Sequence, residues 1–243
     1  MPSRIYIEHA LSEGANFPLP ETAFRHLVQV LRLKAGDGFI AFDGNGGEYD
    51  AVLVDVGKRQ AEAGILARHE VERESPLDLT LAQCISKGER MDYSLQKATE
   101  LGITRIVPLF SSRSVVRLDD ERWEKKLDHW RGVVIAACEQ SGRTRIPVVE
   151  PVTPLPTWLD DEDARGTRLT LDPQGSHSLR ELPPPTGPVT LLVGPEGGLS
   201  DMELEHARRA GFTGMRMGPR VLRTETAGVA ALAALQALWG DWG

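Results

Sequence analysis

Two glycine-bearing loops in the last fifth of the chain carry residue types suited to gripping a small ligand. The first ends an apolar run, Leu191-Leu192-Val193-Gly194-Pro195-Glu196-Gly197-Gly198-Leu199-Ser200. The second reads Met217-Gly218-Pro219-Arg220-Val221-Leu222-Arg223-Thr224-Glu225-Thr226-Ala227. Glycines at a strand end let backbone amides and carbonyls approach a ligand with no side chain in the way. Two such loops together predict a small-molecule pocket at the C-terminal ends of adjacent strands, where open α/β sheets place their ligands. The first loop lacks both the GxGxxG of a dinucleotide fold and the GK[ST] of a phosphate loop. A plain strand-to-helix turn is the simpler reading, but Ser200 already serves as the helix cap, so three glycines and a proline exceed what a turn needs.

Arg220 and Arg223 stand just before Thr224, which reads as the N-cap of a last helix. Cations at the positive end of a helix dipole are mildly unfavourable unless an anion binds nearby. Arginine's planar fork suits phosphate or an ionised base edge; two solvated arginines ahead of a helix are the alternative. Glu139-Gln140-Ser141-Gly142-Arg143 reads as a helix exit with a glycine cap. Lys97, Thr99 and Glu100 read as a solvated helix face, and Arg113-Ser114-Val115-Val116-Arg117 as a basic loop for RNA phosphates or a surface loop.

The elements that must position these residues fall into two stretches. Residues 1–75 are β-rich, with a strand at Arg4-Ile5-Tyr6-Ile7 and apolar residues at helical spacing from Thr22 to Leu33. Gly38–Phe42 and Glu48–Val54 flank Asp43-Gly44-Asn45-Gly46-Gly47, a hairpin signal because those residues tolerate positive φ. Residues 70–78 read as a linker. Beyond it strands and helices alternate: a strand at 79–85, a capping box Ser86-Lys87-Gly88-Glu89 opening a helix that Gly102 ends, a strand at 103–110 and a long helix at 121–140. Residues 147–163 read as a Pro-rich acidic surface crossing. Short strands at 169–171 and 189–193, a helix capped by Ser200, a strand at 212–217 and a helix at 224–239 complete the chain. Such alternation predicts a largely parallel sheet covered on both faces.

The chain's 243 residues suit one large domain or two small ones. Cys84 and Cys138 sit alone in apolar contexts, which predicts buried free thiols, and the six histidines form no ligand spacing, so no metal is expected. No apolar run approaches the roughly 18 residues of a bilayer span, and the N-terminus carries no basic-then-apolar leader. The chain therefore reads as cytoplasmic, with no membrane partner. The net charge of −7 argues against a general nucleic-acid coat. A basic face remains open, because Arg208–Arg223 holds five arginines and no acid.

Four motifs in order resemble the ribosomal RNA small subunit methyltransferase E family of the knotted SPOUT superfamily. They are the run Glu89-Arg90-Met91-Asp92-Tyr93-Ser94-Leu95-Gln96-Lys97-Ala98-Thr99-Glu100-Leu101-Gly102, the run Glu139–Arg143, the Gly194 loop, and Leu222-Arg223-Thr224-Glu225-Thr226-Ala227. The likeness runs from about Arg25 to the C-terminus. It implies a PUA-like, RNA-binding β-barrel over 1–74 and, over 75–243, an α/β SPOUT domain with a deep trefoil knot, an S-adenosylmethionine (AdoMet) site and a dimer interface.

The implied reaction is AdoMet-dependent N3-methylation of uridine 1498 in 16S rRNA of the assembled 30S subunit, by a homodimer. By the same resemblance, Leu171, Leu192, Gly194, Pro195, Glu196, Gly197 and Gly198 hold the cofactor from one side. Met217, Gly218, Val221, Leu222, Arg223, Thr224 and Ala227 hold it from the other. Arg223 or Arg220 stabilises an ionised uridine, with Arg223 the first candidate and an RNA phosphate the other role for Arg220; Glu225 or Glu196 accepts the N3 proton, and Arg25, Arg32, Arg113 and Arg117 meet the RNA backbone. A SPOUT enzyme acting on another RNA such as tRNA, and a non-catalytic RNA-binding assembly factor, are the rival readings.

Overall fold

The computed structural model describes residues 2–114, 120–161 and 165–242. They divide into two compact units, Met1–Glu74 with Cys138–Ile146, and Ser75–Ala137 with Pro147–Gly243.

The first unit contains β1 (Arg4–Tyr6), β2 (Asn16–Pro18), α1 (Glu21–Phe24), β3 (Gly38–Phe42), β4 (Glu48–Val56) and β5 (Ala61–His69). The helix expected at 22–33 is a single α turn that widens into π-helical turns over Arg25–Val30. The strands form one sheet in the order β1-β3-β4-β5-β2. The hairpin lies where the glycines place it, with Ala41 opposite Tyr49 and Gly44, Gly46 and Gly47 all at positive φ. Two register shifts between β4 and β5 mark bulges, which bend and twist a sheet. The curl wraps Ile7, Leu27, Phe39, Leu53 and Ile65 into a core. The pairings leave β1 and β2 as edges, so curl and not a closed ladder gives this unit its barrel character.

A division at 74/75 does not anticipate that Cys138–Ile146 returns to the first unit. Buried Arg143 explains the return. Its Nε donates to Glu74 Oε2 at 2.8 Å, while Glu74 Oε1 accepts the Thr144 and Arg145 amides. Arg4 donates to the Gly142 and Arg143 carbonyls, and the Tyr6 amide to Glu139. A buried ion pair is tolerable only when its remaining donors and acceptors are occupied, as these are. The Glu139–Arg143 run is thus half-buried packing and not a simple helix exit.

The second unit carries β6 (Leu79–Cys84), α2 (Glu89–Glu100), β7 (Arg105–Phe110), α3 (Asp120–Ser141, whose last residues belong to the first unit), β8 (Val148–Val149), β9 (Thr153–Pro154), α4 (Leu155–Asp161), β10 (Thr167–Leu171), β11 (Val189–Val193), α5 (Asp201–Arg209), β12 (Thr213–Met215) and α6 (Thr224–Trp239). The sheet order is β12-β10-β11-β6-β7-β8, with β9 also on β7, and every pairing is parallel. Every residue of β6 and β11 is buried, as expected of parallel strands covered on both faces. The chain builds outward from β6 to β7 and β8, then returns with β10 on the opposite side and places β11 between β10 and β6. The order therefore reverses at β6/β11, the kind of switch point beside which open sheets bind ligands.

Four local expectations need correction. The Ser86 hydroxyl does not cap α2: Gly88 does, at φ 68°, and no side chain caps this end. Thr224 is the first helical residue of α6 and Arg223 its cap, because the threonine hydroxyl bonds elsewhere. Thr99 is buried, its hydroxyl donating back to the Leu95 carbonyl. Residues 147–163 are more than a surface crossing, since Leu155, Trp158 and Leu159 of α4 pack into the core under the sheet.

Candidate active site

A cavity of about 530 Å³ opens where three neighbouring strands end. Its floor contains Leu171, Val193 and Met215, the last residues of β10, β11 and β12, which sit side by side in the parallel register. The first glycine loop follows β11 and the second follows β12, so the sheet order brings the two loops to one place. Gly194 is favoured by packing: a Cβ there would press on the Leu199 amide nitrogen at 3.1 Å. Gly198 is demanded by backbone, at φ 68° after a turn closed by its N–H to the Pro195 carbonyl at 2.9 Å.

Buried polar contacts fix the loop. Thr224 Oγ1 donates to the Gly194 carbonyl at 2.6 Å and accepts from Gln83 Nε2 at 2.9 Å. One hydroxyl thereby joins the first loop, the start of α6 and β6. Arg113 donates to the Gly197 and Leu199 carbonyls. Glu203 of α5 accepts the Ser112 and Ser200 amides and both serine hydroxyls. Burial alone would push its carboxyl up, but those amides and hydroxyls outweigh burial and hold its pKa below the usual carboxylate range.

The two candidate carboxylates differ. Glu196 Oε1 accepts the Lys87 amide at 3.0 Å and Arg90 Nη1 at 2.8 Å. Burial would raise its pKa, but the Lys87 amide, its own amide and Arg90 together lower it. Glu225, in the first turn of α6, has Oε1 at 3.8 Å from Arg90 Nε, and its Oε2 is buried with no hydrogen-bond partner among the described residues. Arg220 and Arg223 line the cavity, are exposed, and have no partner among the described residues.

Most residues of the two loops, with Leu171, Thr224, Glu225 and Ala227, do line one cavity. Leu192 does not: it turns fully into the core beside Ala82 and Val107. Gly197 also stays off the wall, facing the Arg113 side chain. Arg113 is occupied by loop carbonyls and lines the cavity, so it is not a free phosphate contact. Arg25 and Arg32 are exposed in the first unit; Arg25 pairs with Glu21, and Arg32 adopts the left-handed φ of 60°. Arg117 lies outside the described residues. Arg90 and Asp172 also line the cavity and Gln83 supports it through Thr224, three roles that local sequence does not mark, although Arg90 lies in the Glu89–Gly102 run. Both cysteines are buried free thiols. Among the described residues no group of three His, Cys, Asp or Glu could hold a metal, and no helix is long and apolar enough to cross a membrane.

Residues 73–236 match the RNA methyltransferase domain family, and residues 19–66 the RNA methyltransferase PUA domain family. Ribosomal RNA small subunit methyltransferase E of Buchnera aphidicola subsp. Schizaphis graminum (strain Sg) is 35% identical over 238 residues, covering 98% of this chain and 97% of that protein. The Bacillus subtilis (strain 168) protein of the same name is 31% identical over 248 residues, covering 96% and 95%. The crystal structure of that methyltransferase from Neisseria gonorrhoeae, bound to S-adenosyl methionine, superposes with a TM-score of 0.94 at 41% identity over 100% of both chains. A putative methyltransferase from Legionella pneumophila with bound cofactor SAM superposes at 0.95, with 40% identity over 99% of both.

Proposed function

This chain belongs to the ribosomal RNA small subunit methyltransferase E family, and on that premise we propose that it transfers a methyl group from AdoMet to N3 of uridine 1498 in 16S rRNA of the assembled 30S subunit. The observation that carries this reading is the cavity at three strand ends, walled by glycine loops and lined by Glu196, Arg220, Arg223 and Glu225.

The residues present fit AdoMet. Gly194 lets the first loop fold tightly back on Leu199, and Leu171, Val193 and Met215 make an apolar floor. The loops Gly194–Gly198 and Met217–Thr224 would hold it between them. When bound, AdoMet supplies an electrophilic methyl group on a positively charged sulfur.

This chain's own residues must do the rest. Uridine has to leave its stack so that its Watson–Crick edge reaches the site, and N3 has to lose a proton, because the neutral imide is a poor nucleophile. Glu225, which lines the cavity at the start of α6, is the acceptor we assign. Glu196 is held ionised by an amide and a guanidinium, which makes it the weaker base. Arg223 stabilises the resulting uridine anion, a contribution that fixed charges make effectively away from bulk water. Arg220 is assigned to an RNA phosphate.

Arg25 and Arg32 of the PUA unit are assigned to rRNA phosphates, which give affinity and salt dependence without sequence choice. Site choice then falls to the shape of the assembled subunit, in keeping with a chain of net charge −7. The SPOUT knot, the homodimer and the cytoplasmic location belong to the same proposal; Leu238 of α6 and Trp242 beyond it leave apolar surface exposed.

The test adds protein and AdoMet to unmethylated small subunits and maps the modified nucleotide. Methylation at N3 of uridine 1498, with naked 16S rRNA left untouched, is expected. Modification of a different RNA or position refutes the substrate, and absence of binding heat with AdoMet refutes the enzyme reading altogether.

A further inference from the structure

The cavity has a third wall, the turn that follows β10, from which Asp172, Pro173 and Gln174 line it. The Gly175 amide closes this turn by donating to the Asp172 carbonyl at 3.0 Å, and the Gln174 amide donates to Asp172 Oδ1 at 2.8 Å. Two more bonds stitch the turn to the end of β12: the Asp172 amide to the Met215 carbonyl and the Arg216 amide to the His177 carbonyl, each at 2.9 Å. Gly175 lies so close to β12 that a Cβ there would meet the Gly214 carbonyl carbon at 2.7 Å. Asp172 is therefore held in place before any ligand arrives. Its Oδ2 has no hydrogen-bond partner among the described residues and, unlike Glu225 Oε2, is not buried.

Side chains alternate across a strand, so successive residues at the strand ends serve opposite sides of the sheet. Val193 faces α6, its Cγ2 lying 3.5 Å from a Cβ placed on Gly228, and Leu171, its partner in the parallel register, faces the same way. Leu192 faces the core under α4 and α5. Its partner Thr170 shares that side, and so does Asp172, two residues on. The cavity reaches both sides. Toward α5 it is lined by Leu199, Asp201 and Leu204 as well as Asp172, and toward α6 by Arg90, Thr224 and Glu225. The charges divide in the same way. Arg90 stands with Glu196 and Glu225 on the α6 side, whereas Arg113, beside Leu199, is engaged by the Gly197 and Leu199 carbonyls.

We propose that Asp172 Oδ2 receives the ribose hydroxyls of AdoMet, with the adenosine half of the cofactor on the α5 side and the methionine half toward α6; this rests on the reading of the cavity as an AdoMet site. A nucleoside needs apolar contact for its base and an acceptor for its diol, and Leu199, Leu204 and Asp172 offer both. Nucleotide sites in open α/β sheets pair a glycine loop with one acid that takes a ribose hydroxyl. Here the glycine loop follows β11 and the acid follows β10, its neighbour in the sheet. A hydroxyl donating to a carboxylate is charge-assisted, which places it among the stronger hydrogen bonds. The methionine half carries an ammonium and a carboxylate, and suits the side where a guanidinium and carboxylates already stand together. Asp201 is the poorer acceptor, since it is exposed at the start of α5 while Asp172 is half-buried in a fixed turn.

The experiment measures binding to the full chain by calorimetry, with no RNA present. Its probes are S-adenosylhomocysteine, a dideoxyribose form of the same compound that lacks both hydroxyls, and methylthioadenosine, which keeps the ribose and drops the amino-acid part. D172N retains an oxygen for the Gln174 amide and replaces Oδ2 by a donor. It is expected to weaken S-adenosylhomocysteine and methylthioadenosine alike, each by on the order of 10- to 100-fold. The wild-type protein should bind the dideoxy compound more weakly than S-adenosylhomocysteine by a similar factor. D172N should bind that compound within about twofold of wild type, because the group and its partner form one coupled pair.

A wild-type protein that gives no heat with AdoMet or S-adenosylhomocysteine removes the AdoMet reading and the role of Asp172 with it. Wild type that binds, with D172N equally tight, removes the role of Asp172 alone. A loss on S-adenosylhomocysteine that vanishes on methylthioadenosine places Asp172 against the amino-acid half and overturns the ribose assignment. A loss of the same size on the dideoxy compound also overturns it, because Asp172 would then act without the diol. If thermal melting shows D172N unfolded, D172S decides by the same comparisons, since a serine hydroxyl can still accept the Gln174 amide in such a turn.

Discussion

Replacing Thr224 with valine keeps the side-chain shape and removes the one hydroxyl that joins the first glycine loop to α6 and β6. Thr224 is 7% exposed and Gln83 is fully buried, so water cannot replace what is lost. The Gly194 carbonyl would lose its 2.6 Å donor, and an orphaned buried acceptor costs about 1–3 kcal/mol. Gln83 Nε2 would lose its acceptor on Thr224 but keep the Cys84 carbonyl at 2.9 Å, a smaller loss of about 0.5–1 kcal/mol. Rotating the Gln83 amide offers no rescue, because Oε1 would then face the Cys84 carbonyl. Together T224V should destabilise the second unit by about 1.5–4 kcal/mol. T224S keeps both bonds and gives up a methyl group, for about 1 kcal/mol. All five tryptophans lie in the second unit, so urea unfolding followed by tryptophan fluorescence reports that unit. T224V within about 1 kcal/mol of wild type, or no more destabilised than T224S, would refute the hydroxyl's role as a tie.

Arg223→Ala should cut the single-turnover methylation rate by on the order of 10²-fold while AdoMet binding by calorimetry persists; unchanged turnover ends the assignment of Arg223. Burial pushes the thiols of Cys84 and Cys138 up to about 12, so neither should react with a disulfide reagent near neutral pH until urea unfolds the chain, and prompt labelling of the native protein would contradict this burial. Glu203 has a folded pKa below its unfolded value. Its contribution is therefore complete above the unfolded pKa and is lost as pH falls through the folded one. Urea midpoints taken down an acid series should fall less steeply in E203Q than in wild type, and parallel curves would show that the serine contacts do not stabilise the ionised form.

What could be read from the sequence was local. The glycine loops were legible because positive φ and close approach leave few other residue choices, and the hairpin at Asp43–Gly47 for the same reason. The β6 and β11 strands were legible as apolar runs, yet that continuity hid which residue faces the cavity. With both faces of β11 buried there is no alternation to separate Val193, which lines the wall, from Leu192, which fills the core. Thr224 misled because a hydroxyl ahead of a helix caps equally well on paper; only the placement of Gly194 decides where it donates. Arg143 looked like a helix end since its partner, Glu74, lies 69 residues away. Arg90, Gln83 and Arg113 acquire their roles from pairings across the sheet order, and no local periodicity encodes that order.

These pairings share a direction, from side chain to loop backbone. Thr224 reaches the Gly194 carbonyl, Arg113 the Gly197 and Leu199 carbonyls, Glu196 the Lys87 amide, and Glu203 the Ser112 and Ser200 amides. A loop rich in glycine is otherwise among the costliest to order on binding, because glycine has the most backbone freedom to lose. Fixing its backbone in the free protein moves that cost into folding, where the buried α/β core offsets it. Ligand binding then meets a wall already in place, which is how preorganisation raises affinity without adding a contact. The same logic explains why the arginines assigned to the reaction, Arg220 and Arg223, have no partner among the described residues while Arg90 and Arg113 are tied down. The free pair can meet a charge that arrives with the substrate, and the tied pair hold the shape it must enter.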